Sequence, residues 1–429
     1  MAMAQTKRVY INAGHGGWSP NDRPMATIPY PMTAETGRPD TCGFYESNTN
    51  LWKANELQAR LKAAGTYRTK MSRTKNGPYP WVSGAPNETR YDRPLAEISA
   101  EVDAWNTDLF ISIHSNAAAD GAIANYPLFL YRGLDTEEGV SGSRAFAETL
   151  WPYHIENYKA IFDLWTAYKS SMNIRGDRNF YNYTWQNDKG YFGYLGVLMH
   201  GAPGILSEGY FHTYRPARHR ALNADWCRME GHRYFRGIQA YFGGEPETTG
   251  CIMGDVHTKN TTMASYGDKF TNDPSQYAVD QYLPVNGAEI HLTDANYNVL
   301  KKYTVDQNFN GVFVFTDLEP GAYYIALRAE GYGTIQTTRS YKVTVKAGTT
   351  VYKHFYLTKG TTTDWEDNEV AIETVRPDEE PFVDHQTVRV YDASGRLVAT
   401  TTRLELEQLP LPTGIYTLES RGKSVKWAR

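Results

Sequence analysis

Three short apolar segments in the first half of the chain each end in a side chain that can bind a metal or carry a proton. The segments that lead to His15, His114 and Glu208 are almost continuously apolar, which is typical of strands buried on both faces of a sheet. Gly14 and Gly16 flank His15 and allow the backbone to turn sharply there. The pattern predicts three buried strands that each deliver one of these side chains.

Amphipathic helices are predicted between these strands. Apolar residues recur at helical spacing from Ser47 to Ala64, from Pro94 to Trp105 and from about Ala217 to Phe242. Gly65 directly after the first of these segments is a typical helix stop. Alternating strands and helices predict an α/β domain with an open, mostly parallel twisted sheet and helices on both of its faces.

Ligands of such sheets bind outside the carboxyl ends of the strands. We therefore expect His15, His114 and Glu208 at one rim, together with Glu46, which directly precedes the helix predicted from Ser47. Two imidazoles and a carboxylate suit Zn²⁺ with an open fourth position, and a further carboxylate is then free to act as general base and acid. Taken singly, each histidine is more often a structural residue; the hypothesis depends on their convergence.

The rim residues resemble those of a known enzyme family. The segments VYINAGHGG, GFYESNTNL, DLFISIHSNA and PGILSEGYF resemble motifs of the zinc-dependent N-acetylmuramoyl-L-alanine amidases of bacterial cell-wall turnover. The resemblance covers about residues 6–243. It implies that His15, Glu46 and His114 are zinc ligands and that Glu208 is the catalytic residue.

The resemblance also implies a substrate and contacts to it. The expected reaction is hydrolysis of the amide between the lactyl group of N-acetylmuramic acid and L-alanine of the stem peptide, in peptidoglycan or in muropeptides. Substrate contacts are expected from Asn116, Arg73 and Arg93. The segments from Asn76 to Glu88 and from Trp151 to Leu195 look longer than the family core and would reshape the cleft.

Other functions fit the sequence to different degrees. A peptidoglycan-binding protein that has lost its chemistry, and a zinc peptidase acting on another amide of the stem peptide, both stay open. A dinucleotide loop is disfavoured because Ser19 stands where the third glycine of GxGxxG would be. No GxSxG segment supports a serine hydrolase.

The second half of the chain has the short alternating segments of β domains. We predict a catalytic domain over 1–243, a linker over 244–250 and a β-sandwich accessory domain over 251–359, which resembles modules found beside carboxypeptidases. An acidic flexible linker is predicted over 360–381. The β-patterned residues 382–429 resemble sorting or surface-anchoring modules of exported proteins of the Bacteroidetes group, and a small sandwich that caps the preceding module fits the pattern equally well.

Two smaller features bear on metal binding and redox chemistry. The spacing Asp306, Asn308, Asn310, Gly311 and Asp317 imitates a calcium loop, but aspartate at the twelfth position and a following strand pattern favour a structural turn. The three cysteines, an odd number without CxxC spacing, predict neither a disulfide framework nor a cysteine zinc site: Cys42, Cys227 and Cys251.

Composition sets limits on partners and location. A net charge of −4 gives no reason to expect nucleic acid, and no apolar run reaches the roughly 18 residues of a membrane helix. Ala2-Met3-Ala4 has the small-x-small form of a signal-peptidase site, so we expect an exported protein, periplasmic or associated with the cell surface. The expected partners are peptidoglycan or a muropeptide and, through the β domains, a component of the cell envelope.

Overall fold

The structure is a computed structural model of the 429-residue chain. It describes residues 6–17, 22–27, 43–77, 91–119, 124–156, 172–181, 194–262, 280–336, 341–365, 373–375, 387–392, 394–402, 406, 409–412, 415–420 and 423–428. Cys42 and most of the two long segments predicted to reshape the cleft lie outside these residues.

A six-stranded sheet with the order β4-β1-β5-β10-β6-β9 forms the centre of the N-terminal domain. Strands β4, β1, β5 and β10 are parallel, whereas β6 pairs antiparallel with β10 and continues to β9. The strands of this domain, including two short ribbons, are β1 (Lys7–Ala13), β2 (Met25–Ala26), β3 (Gly43–Phe44), β4 (Tyr67–Met71), β5 (Leu109–Asn116), β6 (Leu128–Tyr131), β7 (Gly133–Leu134), β8 (Glu137–Glu138), β9 (Ile174–Gly176) and β10 (Gly204–Phe211). The prediction of a mostly parallel α/β sheet is confirmed.

Two of the three predicted helices lie close to their predicted positions, the third is divided, and the helices at Ser143–His154 and Asp177–Phe180 were not predicted. The helices are α1 (Glu46–Ala63), α2 (Leu95–Ala104), α3 (Ser143–His154), α4 (Asp177–Phe180), α5 (Arg215–Arg220) and α6 (Ala224–Tyr241), with a 3-10 turn at Gly196–Leu198. The single helix predicted from Ala217 to Phe242 is wrong, because Asn223 interrupts it. Its backbone is extended and its side chain accepts a hydrogen bond from the Trp226 amide, which begins a new helix there.

Apolar side chains on the two faces of the sheet form separate clusters. On one face, β1, β5 and β10 contribute Val9, Ile111 and Ile205 to a cluster with side chains of α1, α3 and α6. On the other face, Tyr10, Phe110, Leu128, Leu130 and Leu206 pack with α2 and the 3-10 turn. Alternate residues of each strand thus point to opposite faces, which fixes the face from which each rim side chain projects.

Residues 250–375 form two further sheets. One joins β11 (Gly250–Thr262), β12 (Tyr282–Pro284), β15 (Val312–Leu318) and β18 (Thr350–Leu357). The other has the order β17-β16-β13-β14-β19. Its strands are β13 (Glu289–Thr293), β14 (Val299–Thr304), β16 (Gly321–Arg328), β17 (Lys342–Val345) and β19 (Glu373–Val375). We call residues 250–365 together with β19 the sandwich.

Part of the predicted acidic linker packs against this sandwich. Trp365 stacks on His291 with ring centroids 3.8 Å apart, and Glu373–Val375 pairs in parallel with β14. Residues 366–372 and 376–381 of the predicted linker lie outside those described, so its flexibility stays a prediction.

The C-terminal residues form a small antiparallel sheet with its own apolar cluster. Its order is β21-β20-β22-β23, from β20 (Thr387–Tyr391), β21 (Leu397–Thr402), β22 (Ile415–Ser420) and β23 (Lys423–Ala428). Val388, Val390 and Leu418 are buried within it. No helix among the residues described is long and apolar enough to cross a membrane.

The N-terminal domain and the sandwich share one apolar cluster. It joins Trp226 and Met229 of α6 to Ile252, Phe313 and many other side chains of the sandwich. Polar contacts cross the same boundary. The guanidinium of Arg220 and the carboxylate of Asp280 form a buried ion pair at 2.7 Å, and the hydroxyl of Tyr214 donates to the same carboxylate at 2.8 Å.

The predicted linker over 244–250 is held at this boundary. The carboxylate of Glu247 accepts hydrogen bonds from His232 Nε2 at 2.7 Å and from Arg236 Nε at 2.5 Å. Burial would raise the pKa of Glu247, but these two partners lower it to about 2. The two domains are therefore joined by packed and paired side chains on either side of the connecting segment.

Candidate active site

His15, Glu46 and His114 come together at the carboxyl-end rim of the sheet. Glu46 Oε2 lies 3.1 Å from His15 Nε2, and Glu46 Oε1 lies 3.1 Å from His114 Nδ1. Ligand atoms of all three lie within 4.8 Å of one another, and no other group of three or more such side chains lies this close among the residues described. His15 follows β1, His114 lies near the end of β5, and Glu46 is the first residue of α1. The structure thus brings together the three residues that the sequence grouped.

The Glu46 carboxylate is oriented by neighbours from three parts of the chain. The Ser115 amide donates to Oε1 at 2.9 Å, and Asn50 Nδ2 donates to the same oxygen at 3.3 Å. Asp22 accepts hydrogen bonds from the amide and the hydroxyl of Ser47, which fixes the first turn of α1. These contacts hold the carboxylate between the two imidazoles.

The ionisable side chains at the rim shift one another's pKa values. Burial would raise the pKa of Glu46, but the two histidines hold it well below its usual range. Burial opposes protonation of His15, yet the charge of Glu46 raises its pKa to about 9. Burial lowers the pKa of His114. A carboxylate that draws a proton onto an adjacent imidazole would also attract a divalent cation.

Glu208 lies on β10, in register with His114 on β5. Burial and the charge of Glu46 raise its pKa to about 8. Its Oε2 atom is buried without a hydrogen-bond partner in the structure. A carboxyl group with a pKa near neutrality can both accept and return a proton, which is the property that a general base and acid requires.

Tight packing around the His15 turn explains its glycines. His15 itself has a φ of 59°, in the left-handed region. A Cβ on Gly14 would overlap the imidazole of His114, and Gly16, with a φ of 151°, lies against the Tyr91 carbonyl and the Arg73 side chain. The glycines thus let the two imidazoles approach each other, with ring centroids 5.1 Å apart.

Arg73 and Arg93 are expected to contact substrate, but in the structure their guanidinium groups bind other groups of the protein. Arg73 is buried and donates to the carbonyls of Ala13, Gly14 and Ser47. Arg93 Nη1 contacts Glu101 at 2.6 Å and donates to the Ser72 carbonyl. These contacts give Arg73 a structural role in holding the His15 turn against α1, and a substrate contact from either arginine stays a prediction.

Asn116, the third expected substrate contact, is the last residue of β5. Its Oδ1 accepts a hydrogen bond from the Ala117 amide at 2.8 Å, and its carbonyl accepts one from the His212 amide. The side chain is partly exposed near the site. Its contact with substrate stays a prediction.

Sequence patterns did not indicate the polar groups beneath the rim. Lys53 and Glu230 form a fully buried ion pair at 3.0 Å, and Lys53 Nζ also lies 3.4 Å from the His114 carbonyl. His212 Nδ1 lies 2.9 Å from Ser115 Oγ, and burial lowers the pKa of His212 to about 4. His212 follows β10 directly, so its position at the end of a strand could have identified it from the sequence. The partners Lys53 and Glu230 are far apart in sequence and gave none.

The candidate calcium loop uses its oxygens in protein hydrogen bonds. Asp306 accepts hydrogen bonds from the Asn308 amide and from the side chains of Asn310 and Asn223. Asp317 Oδ1 lies 3.4 Å from Arg60 Nη1 of the N-terminal domain. These hydrogen bonds connect the loop to Asn223 at the start of α6, and its structural interpretation stays a prediction. Cys227 and Cys251 are buried and free.

Two parts of the chain match known protein families. Residues 9–214 match the family model described as N-acetylmuramoyl-L-alanine amidase. Residues 277–357 match the one described as a prealbumin-like fold domain. The first match supports the resemblance to amidases over residues 9–214 and shows that the chain is an enzyme, and the second confirms a β-sandwich after it. The domain boundaries stay a prediction. No curated protein sequence matches the chain.

Solved structures with similarity to the chain include several amidases. An N-acetylmuramoyl-L-alanine amidase from Clostridium difficile 630 is 20% identical, with a TM-score of 0.37 over 56% of this chain and 100% of that one. The amidase AmiC2 of Nostoc punctiforme is 18% identical, with a TM-score of 0.38 over 56% of this chain and 99% of that one. The catalytic domain of CwlV from Bacillus (Paenibacillus) polymyxa var. colistinus is 17% identical, with a TM-score of 0.36 and coverages of 56% and 99%.

Proposed function

We propose that this chain is a Zn²⁺-dependent hydrolase of the amide between N-acetylmuramic acid and L-alanine in peptidoglycan or muropeptides. One observation carries the proposal: possible ligand atoms of His15, Glu46 and His114 lie within 4.8 Å of one another, beside a fourth side chain, the carboxylate of Glu208. The amidase family match over residues 9–214 supports the substrate class.

The donor set fits zinc. Two imidazole nitrogens and one carboxylate oxygen are the ligands of many catalytic zinc sites, and they leave a coordination position open. The unpartnered, buried Oε2 of Glu208 is the kind of polar atom that acquires a partner only when the site is loaded. Zn²⁺ held there supplies a Lewis acid that polarises the scissile carbonyl and makes water a better nucleophile at neutral pH.

Glu208 carries the proton in this proposal. As a carboxylate it accepts a proton from the attacking water, and as a carboxylic acid it donates that proton to the nitrogen of the departing L-alanine. Its burial on β10 and the charge of Glu46 keep both forms accessible near neutral pH, because both disfavour the charged form. Neighbouring residues are held in place by hydrogen bonds: Arg73 donates to the Gly14 carbonyl, and Asn50 and the Ser115 amide donate to Glu46.

The proposal extends to location. A peptidoglycan substrate requires export, so we infer a periplasmic or surface-associated enzyme. The small sheet of residues 387–428 is proposed to sort or anchor the protein at the envelope, in keeping with its separate apolar cluster.

The test is digestion of purified peptidoglycan and of soluble muropeptides by the full chain, with the products identified by mass spectrometry. The protein is compared as zinc-loaded, chelator-treated and zinc-restored samples. We expect free stem peptides with an L-alanine amino terminus, lost on chelation and recovered with zinc.

Two other outcomes would overturn the proposal in different ways. Cleavage at another amide of the stem peptide would make the chain a zinc peptidase. Binding to peptidoglycan without cleavage by the zinc-loaded protein would make it a binding protein on an amidase fold.

A further inference from the structure

An exposed apolar surface adjoins the catalytic rim. Leu95, the first residue of α2, is 49% exposed, and Tyr194 is 37% exposed. The ring of Tyr194 lies against the ring of Tyr181, with centroids 4.5 Å apart. A Cβ on Gly196 would lie 3.3 Å from the Leu95 side chain, so the segment that follows Tyr194 contacts Leu95. We call Leu95, Tyr181 and Tyr194 the shelf.

The shelf lies on the face of the sheet from which Glu208 projects. Leu206 packs in the apolar cluster against which Tyr181 and Leu195 lie. Glu208 is two residues further along β10, so its side chain leaves the same face of the sheet. Burial and then the charge of Glu208 raise the pKa of Tyr181, in keeping with this proximity.

The shelf is held in place by a buried carboxylate. Asp177 Oδ2 accepts hydrogen bonds from the amides of Tyr194 and Leu195 at 2.7 and 2.8 Å, and Oδ1 accepts one from the Gly133 amide. Ser99 of α2 donates to the Gly196 carbonyl at 2.8 Å. Hydrogen bonds from these elements thus fix the backbone around Tyr194, whose ring stays 37% exposed, and such a surface can bind a ligand without first becoming ordered.

We propose that the shelf binds the stem peptide on the amine side of the scissile amide and thereby sets the preferred peptide length. This inference rests on the proposed function. A general acid must lie within hydrogen-bond reach of the leaving nitrogen. The residues that continue from this nitrogen therefore pass the Glu208 side of the site, where the shelf lies, and the sugar leaves from the opposite side. Tyrosine rings supply apolar contact area at low entropic cost.

The test compares three substrates that differ on one side of the amide at a time. N-acetylmuramoyl-L-alanine ends one residue after the amide, the N-acetylmuramoyl tripeptide extends the peptide, and the disaccharide tripeptide extends the sugar. The variants are Tyr194→Ala, Tyr194→Phe and Leu95→Ser, each zinc-loaded, with kcat and KM measured by mass spectrometry. Leu300→Ser is the matched control, because Leu300 is 38% exposed on the sandwich.

We expect Tyr194→Ala to raise KM for the tripeptide about tenfold, equivalent to about 1.4 kcal/mol. Leu95→Ser should act in the same direction, whereas Tyr194→Phe and Leu300→Ser should behave like the unaltered protein. KM for N-acetylmuramoyl-L-alanine should not change, and the effect should be equal with one sugar or two.

Equal KM values for the unaltered and Tyr194→Ala proteins on the tripeptide would overturn the proposal. An effect that grows with the second sugar would assign the shelf to the glycan instead. The unaltered protein separates this failure from that of the proposed function: if it cleaves none of the three compounds, both proposals fall, and if it cleaves them without a shelf effect, the shelf proposal falls alone.

Discussion

A carboxylate lies between two imidazoles both at the rim of the amidase domain and inside the sandwich. At the rim, Glu46 lies 3.1 Å from each of two histidine nitrogens. In the sandwich, Asp255 Oδ1 lies 2.8 Å from His354 Nδ1 and 3.1 Å from His257 Nδ1. Both carboxylates are buried, and in both the histidines hold the carboxyl pKa well below its usual range against the effect of burial.

The two clusters differ in what surrounds them. The second oxygen of Asp255 accepts a hydrogen bond from the Tyr352 hydroxyl at 2.7 Å, so this carboxylate is satisfied by its neighbours. The three rim side chains have ligand atoms within 4.8 Å of one another and adjoin Glu208, whose Oε2 lacks a partner. The same residue types therefore occur in both clusters, and among the residues described only the rim brings three possible ligand atoms within 4.8 Å of one another.

The largest expected effect is loss of the metal. His114→Ala should lower the zinc content from one ion per chain to nearly none and abolish amide cleavage, because two ligands bind zinc far more weakly than three. Zinc is measured by atomic absorption on protein whose circular dichroism matches that of the unaltered chain. Asp255→Asn should keep one zinc ion per chain. Two ions in the unaltered protein would show that the sandwich cluster is also a metal site.

Glu208→Gln separates chemistry from metal binding. We expect normal zinc content and a kcat lower by about 10² to 10⁴-fold, because the amide cannot accept the proton of the attacking water. The measurement is kcat on the N-acetylmuramoyl tripeptide beside a zinc determination. Turnover within a few-fold of the unaltered enzyme would contradict the proton-carrying role.

Asp255→Ala should act on stability instead of activity. Removing one partner of a buried charged group costs about 3–5 kcal/mol, because the remaining charge stays buried. We expect this loss in the free energy of unfolding by urea, with kcat unchanged well below the unfolding transition. Asp364→Ala is the control, since its fully exposed side chain lies 3.8 Å from Arg328 and should matter little. A fall in kcat without a fall in the free energy of unfolding would show that Asp255 acts on activity and not on stability.

The smallest effect concerns pH. The pKa of Asp255 is lower in the folded protein than its ordinary value of 3.8, so its stabilising contribution is complete above that value and is lost as the pH falls below it. The unfolding temperature of the unaltered protein should therefore fall more steeply below about pH 4 than that of Asp255→Asn. Parallel curves would show that Asp255 does not contribute in this way.

Much of the site was predictable because the carboxyl ends of neighbouring parallel strands meet at one rim. That rule places His15, His114 and Glu208 from sequence, and the position of Glu46 before a helix adds the fourth residue. The roles of Arg73 and Arg93 were not predictable, because residue type does not show whether a guanidinium points to a ligand or to a backbone carbonyl.

The rest of the fold depends on contacts between distant residues. Periodicity located α6 but missed the break at Asn223, where a side-chain cap outweighs a continuous apolar stripe. The shelf was also missed, because Leu95, Tyr181 and Tyr194 are brought together by the fold and by Asp177 and share no local pattern. The linker predicted over 244–250 did not indicate that the apolar cores on either side of it form one cluster.

Because the two domains share one apolar core, we expect that the N-terminal domain does not fold stably without the sandwich. A chain ending at Phe242 would present Trp226 and Met229 to water and leave the charge of Arg220 without the carboxylate of Asp280. We expect such a fragment to aggregate, although it contains His15, Glu46, His114 and Glu208. Through α6 this shared core also adjoins the rim, because Glu230 pairs with Lys53, whose Nζ lies 3.4 Å from the His114 carbonyl.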